Sequence, residues 1–278
     1  MLRLLNIELQ KLRYNRAAKV ISVIYFVLIT FIALIASIEF NFGDFHFRVA
    51  DQGIFNFPYI WHFNTYVAAI LKLFLAIVIV SMMSNEYSYR TLKQNLIDGL
   101  SKKEFVLSKF LTVLLFATIS TIFIFIVSLI LGINFSDYNE IGIIFSDMEY
   151  LLAYFIKLVA FFSFCLFLGV LVKRSAFALG FLIVWQIVEW LCYGLMKWQF
   201  FKDTEIAENV AQFFPLNAMA NLIKEPMSRL GAIQSAANQL GENFTKDYQV
   251  TWLNILIVLV WTSLFLYWSY AILKKRDL

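Results

Sequence analysis

The chain has 278 residues, 61% of them apolar, 18% aromatic and only 15% charged, and its mean hydropathy is +0.75. A soluble domain is about half apolar and a quarter charged, so this composition excludes an ordinary water-soluble fold and points to the lipid bilayer as a partner. The formal charge of +4 is small; nucleic acid is not an expected partner, and the placement of the charges says more than their sum.

In chain order, residues 2–17 form an amphipathic pattern. Leu2, Leu5, Leu9 and Leu12 make an apolar stripe while Glu8, Lys11, Arg13 and Arg16 point elsewhere. This predicts an elbow helix lying along the membrane surface. About 20 apolar residues cross the hydrocarbon, and six runs qualify: residues 20–38, 63–83, 105–133, 150–172, 176–196 and 252–273. The first is not a cleaved signal, because its basic lead-in and apolar run are both too long. Residues 39–62 are rich in aromatics, as suits an interfacial belt. His46 and His62 lie there without acids or cysteines at metal-binding spacing. Residues 197–251 are too long for a plain connection. Two amphipathic stretches, Glu205–Phe214 and Asn217–Leu240, flank Pro215 and predict an extracellular helical insertion over the outer face. Asn243–Thr245 matches a glycosylation sequon, a common chance match. Cys165 and Cys192 fall in apolar runs and read as packing residues. Three prolines, ten glycines and no low-complexity tract leave one transmembrane domain over 1–278. The fold class is an all-α polytopic membrane protein with six transmembrane helices.

Charge predicts the orientation. With both termini on one side, that side holds fifteen Lys and Arg residues, Arg3, Lys11, Arg90, Lys93, Lys173 and Arg276 among them, against six on the other. The positive-inside rule puts both termini and residues 85–103 in the cytoplasm of a multi-pass cell-membrane protein.

Residues 85–109 are the longest polar interruption in the first half. Glu86 to Asp98 reads as a helix with Tyr89, Leu92, Leu96 and Leu100 on one stripe and Glu86, Arg90, Lys93, Gln94 and Asp98 over the rest. Gly99 can take the left-handed conformation that ends it. Ser101 with Glu104 three residues on forms a capping box for the next helix, with Leu100 and Phe105 placed as its hydrophobic staple. Both a helix that receives force from another protein and an unpartnered interfacial helix fit this pattern.

Three ionisable residues, Lys72, Lys157 and Glu189, lie inside spans, where an isolated charge is costly. Each falls roughly 10–13 Å below the outer boundary at the rise of an α-helix. This predicts a structural intramembrane ion pair joining spans two, four and five. Lysines that snorkel outward fit the same positions, as does a role for the three in handling substrate or protons. No phosphate loop, Ser-His-acid, Cys-His or HExxH arrangement is present, so the chain is expected not to be an enzyme. No inverted repeat is visible, which disfavours a secondary carrier.

The amphipathic start, six spans, polar segment after span two, long insertion before span six and basic tail resemble the permease subunit of type-2 ABC exporters. The motif positions read Glu86, Arg90-Thr91, Lys93, Gly99, Ser101-Lys102 and Lys109, and the ending Lys274 to Leu278 is similar to that family's. Arg90 stands where a glycine is common and Lys102 where an arginine is common. The importer loop signature is absent. The resemblance implies that two such subunits, identical or homologous, line a path at their interface and that a cytoplasmic ABC ATPase dimer grips residues 86–98 as a coupling helix. Glu86, Arg90, Thr91, Lys93, Gln94 and Asp98 would then face or flank the ATPase, with Arg13 and Arg16 of the elbow helix adding contacts. It implies no cofactor in this chain; ATP-Mg would sit in the partner. An anchor or sensor for an ATPase without transport, and an ATP-independent carrier or channel, are the alternatives.

Overall fold

The computed structural model describes residues 2–42, 45–138, 140–201, 205–229 and 247–276. The helices are α1 (Leu2–Tyr14), α2 (Arg16–Ser37), α3 (Tyr59–Ser88), α4 (Thr91–Ile97), α5 (Lys102–Phe135), α6 (Ile141–Ile144), α7 (Glu149–Val172), α8 (Ser175–Leu195), α9 (Ile206–Ala211), α10 (Pro215–Asn221) and α11 (Trp252–Lys275). A short antiparallel hairpin, β1 (Glu39–Phe42) and β2 (Phe45–Arg48), follows α2. Among the described residues six helices, α2, α3, α5, α7, α8 and α11, are long and apolar enough to cross a membrane, which makes this a multi-pass membrane protein.

Helices α3 and α5 have 30 and 34 residues. At 1.5 Å per residue they exceed the roughly 30 Å hydrocarbon thickness, so their polar ends extend past it. Both reach toward α4, at the end of the bundle that also carries α1. Apart from Lys157, helix α7 is apolar nearly all round beyond its first turn, and it sits at the centre, packed against α3, α5, α8 and α11. Helices α2 and α8 are the least buried and turn Val23, Val27, Phe31, Ile183, Ile187 and Trp190 outward.

Two close approaches fix the bundle. A Cβ on Gly169 of α7 would stand 2.8 Å from Met83 Cβ of α3, so only glycine lets these helices meet. Gly132 of α5 likewise leaves room for the Phe57 ring. Deeper in the core, the hydroxyls of Tyr25, Ser120 and Tyr154 lie 2.5–2.9 Å apart in a closed triangle. Each hydroxyl can donate once and accept once, so three buried polar groups satisfy one another and tie α2, α5 and α7.

The start of the chain differs from the expected single helix over 2–17. Asn15 interrupts it, and its side chain caps α2 by accepting from Ala18 N. Arg16 therefore opens α2 rather than closing α1. The rotation of α1 also differs: Leu4 and Glu8 are buried while Leu9 is exposed. Within 197–251, α8 runs on into a π-helical turn, Met196–Phe200, and two short helices, α9 and α10, replace the expected longer ones. The part of the second stretch beyond Arg229, and the sequon at 243–245, lie outside the described residues, as do the side chains of 39–49, His46 included.

Candidate functional site

The α3–α4–α5 connection is built by local sequence. Arg90 takes a left-handed conformation, φ 57°, and breaks the chain between α3 and α4. The helix expected over 86–98 is therefore split, with Glu86 in the last turn of α3 and α4 confined to Thr91–Ile97. Gly99, at φ 93°, ends α4 in a Schellman arrangement: Leu100 N donates to Asn95 O and Gly99 N to Leu96 O. Ser101 and Glu104 form the reciprocal capping box that starts α5. Leu92 is buried, and Leu96 and Leu100 pack on the core. Tyr89, expected on the same stripe, is 75% exposed, because the break at Arg90 rotates it away.

Beneath α4 lies a buried network of charges. Lys109 of α5 is fully buried, and its Nζ is 2.6 Å from Glu8 Oε2 of α1 and 2.5 Å from Glu86 Oε1 of α3. Lys11 Nζ reaches the same Glu86 oxygen at 2.7 Å and Glu8 Oε1 at 3.6 Å. The other Glu86 oxygen accepts from Thr91 Oγ1 at 2.6 Å and Asn95 Nδ2 at 3.4 Å, both on α4. Ser108 Oγ lies 3.4 Å from Glu8 Oε1. Two carboxylates and two ammonium groups balance in formal charge. Every carboxylate oxygen has at least one donor within 3.4 Å, the condition under which a buried ion cluster survives its desolvation cost. The network thus links α1, α3, α4 and α5.

The outer side of α4 is open. Arg90, Lys93, Gln94, Ile97 and Asp98 are exposed, and with Tyr89 they form one surface. Arg13 and Arg16 are exposed nearby in sequence to Lys11, and Arg16 with Lys11, Asn15, Glu86 and Tyr89 lines a groove of about 630 Å³ between α1, α2 and the end of α3. Of the expected contact residues, Glu86 is the correction: it is 2% exposed and engaged in the ion network, so it faces inward. Thr91 is half-buried and donates to it. The chain's end braces the same region. Arg276 donates to Val170 O at 2.6 Å and Leu171 O at 3.1 Å, the last carbonyls of α7, and to Tyr87 OH at 3.1 Å. Lys102 Nζ donates to Arg276 O. A cation on a helix C-terminus satisfies orphan carbonyls and complements the dipole.

The intramembrane ion pair expected of Lys72, Lys157 and Glu189 is not formed. Glu189 instead accepts from Leu216 N and Asn217 N, at 3.0–3.1 Å, and from Trp185 Nε1 at 2.7 Å. Its carboxylate caps the N-terminus of α10, where helix amides carry partial positive charge. Lys157 Nζ faces the opposite end of α10, 3.4 Å from Ala220 O and 3.5 Å from Ile223 O. The acid and one lysine share a neighbourhood, and α10 stands between them with its dipole complementing both. Lys72 Nζ donates to Ala69 O at 3.1 Å and lies 4.7 Å above the Phe161 ring.

The segment after α10 is pinned by His62. Arg229 can only donate, so His62 Nδ1 accepts from Arg229 Nη1 at 3.1 Å and Nε2–H donates to Lys224 O at 2.9 Å. The ring stacks on Tyr150 with centroids 4.2 Å apart. Among the described residues no three potential metal ligands cluster.

Sequence reasoning missed Glu8, Lys109 and Arg276 as partners. Lys109 carried a readable signal: a lysine inside an apolar run needs a counter-charge. Glu8 carried none, since its partner is a hundred positions away.

No curated protein matches the chain. A family described as "Protein of unknown function (DUF2705)" matches residues 26–278, everything from the middle of α2 onward, and the chain belongs to that family.

Proposed function

We propose that this chain is the transmembrane permease subunit of a type-2 ABC exporter, pairing with a second copy or homologue and driven by a separate cytoplasmic ATPase dimer that binds ATP-Mg. On this reading α1 is the elbow helix and α4 the coupling helix, and the end carrying them faces the cytoplasm in accord with the positive-inside rule. The observation that carries the reading is the two-sidedness of α4. Its inner side is held by Leu92 and by the Thr91 and Asn95 bonds to Glu86, while its outer side presents Arg90, Lys93, Gln94, Ile97 and Asp98. Force applied to such a helix passes through Glu86 and Lys109 into two membrane-crossing helices and α1, because a fully paired buried network moves as a unit. An interfacial helix without a partner has no need of this linkage. Exposed Tyr89 and Ile97 amid charges give the surface an aromatic and an aliphatic anchor within a polar rim, the usual anatomy of an interface.

Purification from native membranes in mild detergent should recover an ABC ATPase in about equal amount, and Ile97→Cys should cross-link to it. Recovery of no ATPase, or labelling of Lys93→Cys by a membrane-impermeant thiol reagent added outside intact cells, would contradict the proposal.

A further inference from the structure

Lys72 and Lys157 both line a cleft of about 370 Å³ bordered by Tyr66, Ile70, Ile223 and Glu225. Lys72 is the fourteenth residue of α3 and Lys157 the ninth of α7, so at 1.5 Å per residue the cleft lies roughly 12–20 Å inside the helix ends, at membrane depth. Neither ammonium forms an ion pair with a described carboxylate. Lys157 is 95% buried, counting from its 5% exposure, yet its carbonyl contacts are 3.4–3.5 Å long, at the outer limit of a hydrogen bond. Lys72 has one carbonyl of its own helix and the Phe161 ring. Of the other charged residues at the cleft, Lys224 donates to Asp247 O at 2.6 Å and Glu225 accepts from Ser228 N and Oγ. Two cations at this depth held only by carbonyl dipoles and a ring are expensive, and an anion between them would offset much of that cost.

The mouth shows what kind of anion fits. Ile70 lines the cleft and is 58% exposed, and Leu73, one turn on, is 50% exposed, so on one side the cleft borders an exposed apolar strip of α3, while Asn221, Lys224 and Glu225 line its other side. A free inorganic anion would gain nothing from this strip. An amphiphile would lay its chain along it and bring only its headgroup inside. The volume suits a carboxylate or phosphate with a few attached carbons, at the small end of ligand pockets.

We propose that this cleft binds the anionic headgroup of an amphiphile drawn from the bilayer, with Lys72 and Lys157 as its cationic contacts. Binding does not depend on the exporter reading, and it can be tested on the chain alone. The delipidated protein in neutral detergent would be offered oleoyl lysophosphatidic acid, oleate, oleoyl lysophosphatidylcholine or inorganic phosphate, and retention counted by native mass spectrometry. About one anionic amphiphile per chain is expected, with the zwitterion held about tenfold less well. Lys72→Gln should lower retention of both anionic probes about tenfold and Lys72→Arg should restore it. Lys103→Gln, at an exposed position near α4, should change nothing. Lys157→Gln is a second variant, read only alongside a check of its unfolding temperature because Lys157 also faces α10. Equal retention of anionic and zwitterionic probes, undiminished retention in Lys72→Gln, or displacement of the amphiphile by equimolar inorganic phosphate would overturn the proposal.

Discussion

Replacing Lys109 with methionine keeps the apolar stem and removes the charge at the centre of the network. Lys109 is fully buried, with carboxylate oxygens of Glu8 and Glu86 at 2.6 and 2.5 Å. The substitution leaves two buried carboxylates with Lys11, whose side chain is 31% exposed, as the one remaining cation of the network. Removing one partner of a buried pair costs about 3–5 kcal/mol, against a total stability on the order of 5–15 kcal/mol. Adding Glu8→Gln returns the cluster to one carboxylate and one ammonium. The double variant should regain about 1–3 kcal/mol, the usual coupling between groups in one network. Unfolding free energies from steric trapping in micelles would measure both. A loss below about 1 kcal/mol in the single variant, or a double variant worse than the single, would refute the claim that Lys109 is the counter-ion of both acids.

Three further outcomes are expected. Gly169→Ala puts a methyl 2.8 Å from Met83 Cβ, and forcing α3 and α7 apart should cost about 1–3 kcal/mol by the same assay; an unchanged stability would show that the helices give way freely. Glu189→Leu strips the cap from α10 and leaves Leu216 N and Asn217 N unpaired, a loss of about 2 kcal/mol with faster proteolysis within 205–229, while Glu189→Gln should lose less because one acceptor remains. Arg276→Ala frees the Val170 and Leu171 carbonyls, so hydrogen exchange should quicken in the last turn of α7 and not at α10; a uniform response would argue against a local brace.

What could be read from the sequence is what depends on short range. Each apolar run lies within one of the six long helices to about a residue, because roughly 20 apolar residues are both the cause and the signature of a span. Gly99 and the Ser101–Glu104 box act within one helical turn, so residue type and spacing determine them. The break at Arg90 was hidden because it uses a left-handed arginine where a glycine would have announced it. The rotation of α1 was hidden for another reason. Leu2, Leu5, Leu9 and Leu12 make a plausible stripe, but the salt bridge from Glu8 to Lys109 outweighs it and turns Leu9 outward. For Lys157 and Glu189 the need of a partner was legible and the partner was not. The attraction acts through the dipole of a seven-residue helix that leaves almost no mark on composition.

The exporter reading is most directly tested by co-reconstituting the chain with the ABC ATPase recovered alongside it and measuring ATP hydrolysis with and without the double change Arg90→Glu and Lys93→Glu. Both side chains are exposed, Arg90 just before α4 and Lys93 on it, and both lie outside the buried network, so the membrane fold should survive. The account predicts that the unaltered chain raises hydrolysis severalfold and that the double variant abolishes the increase while keeping wild-type unfolding. Equal stimulation by both chains would contradict it.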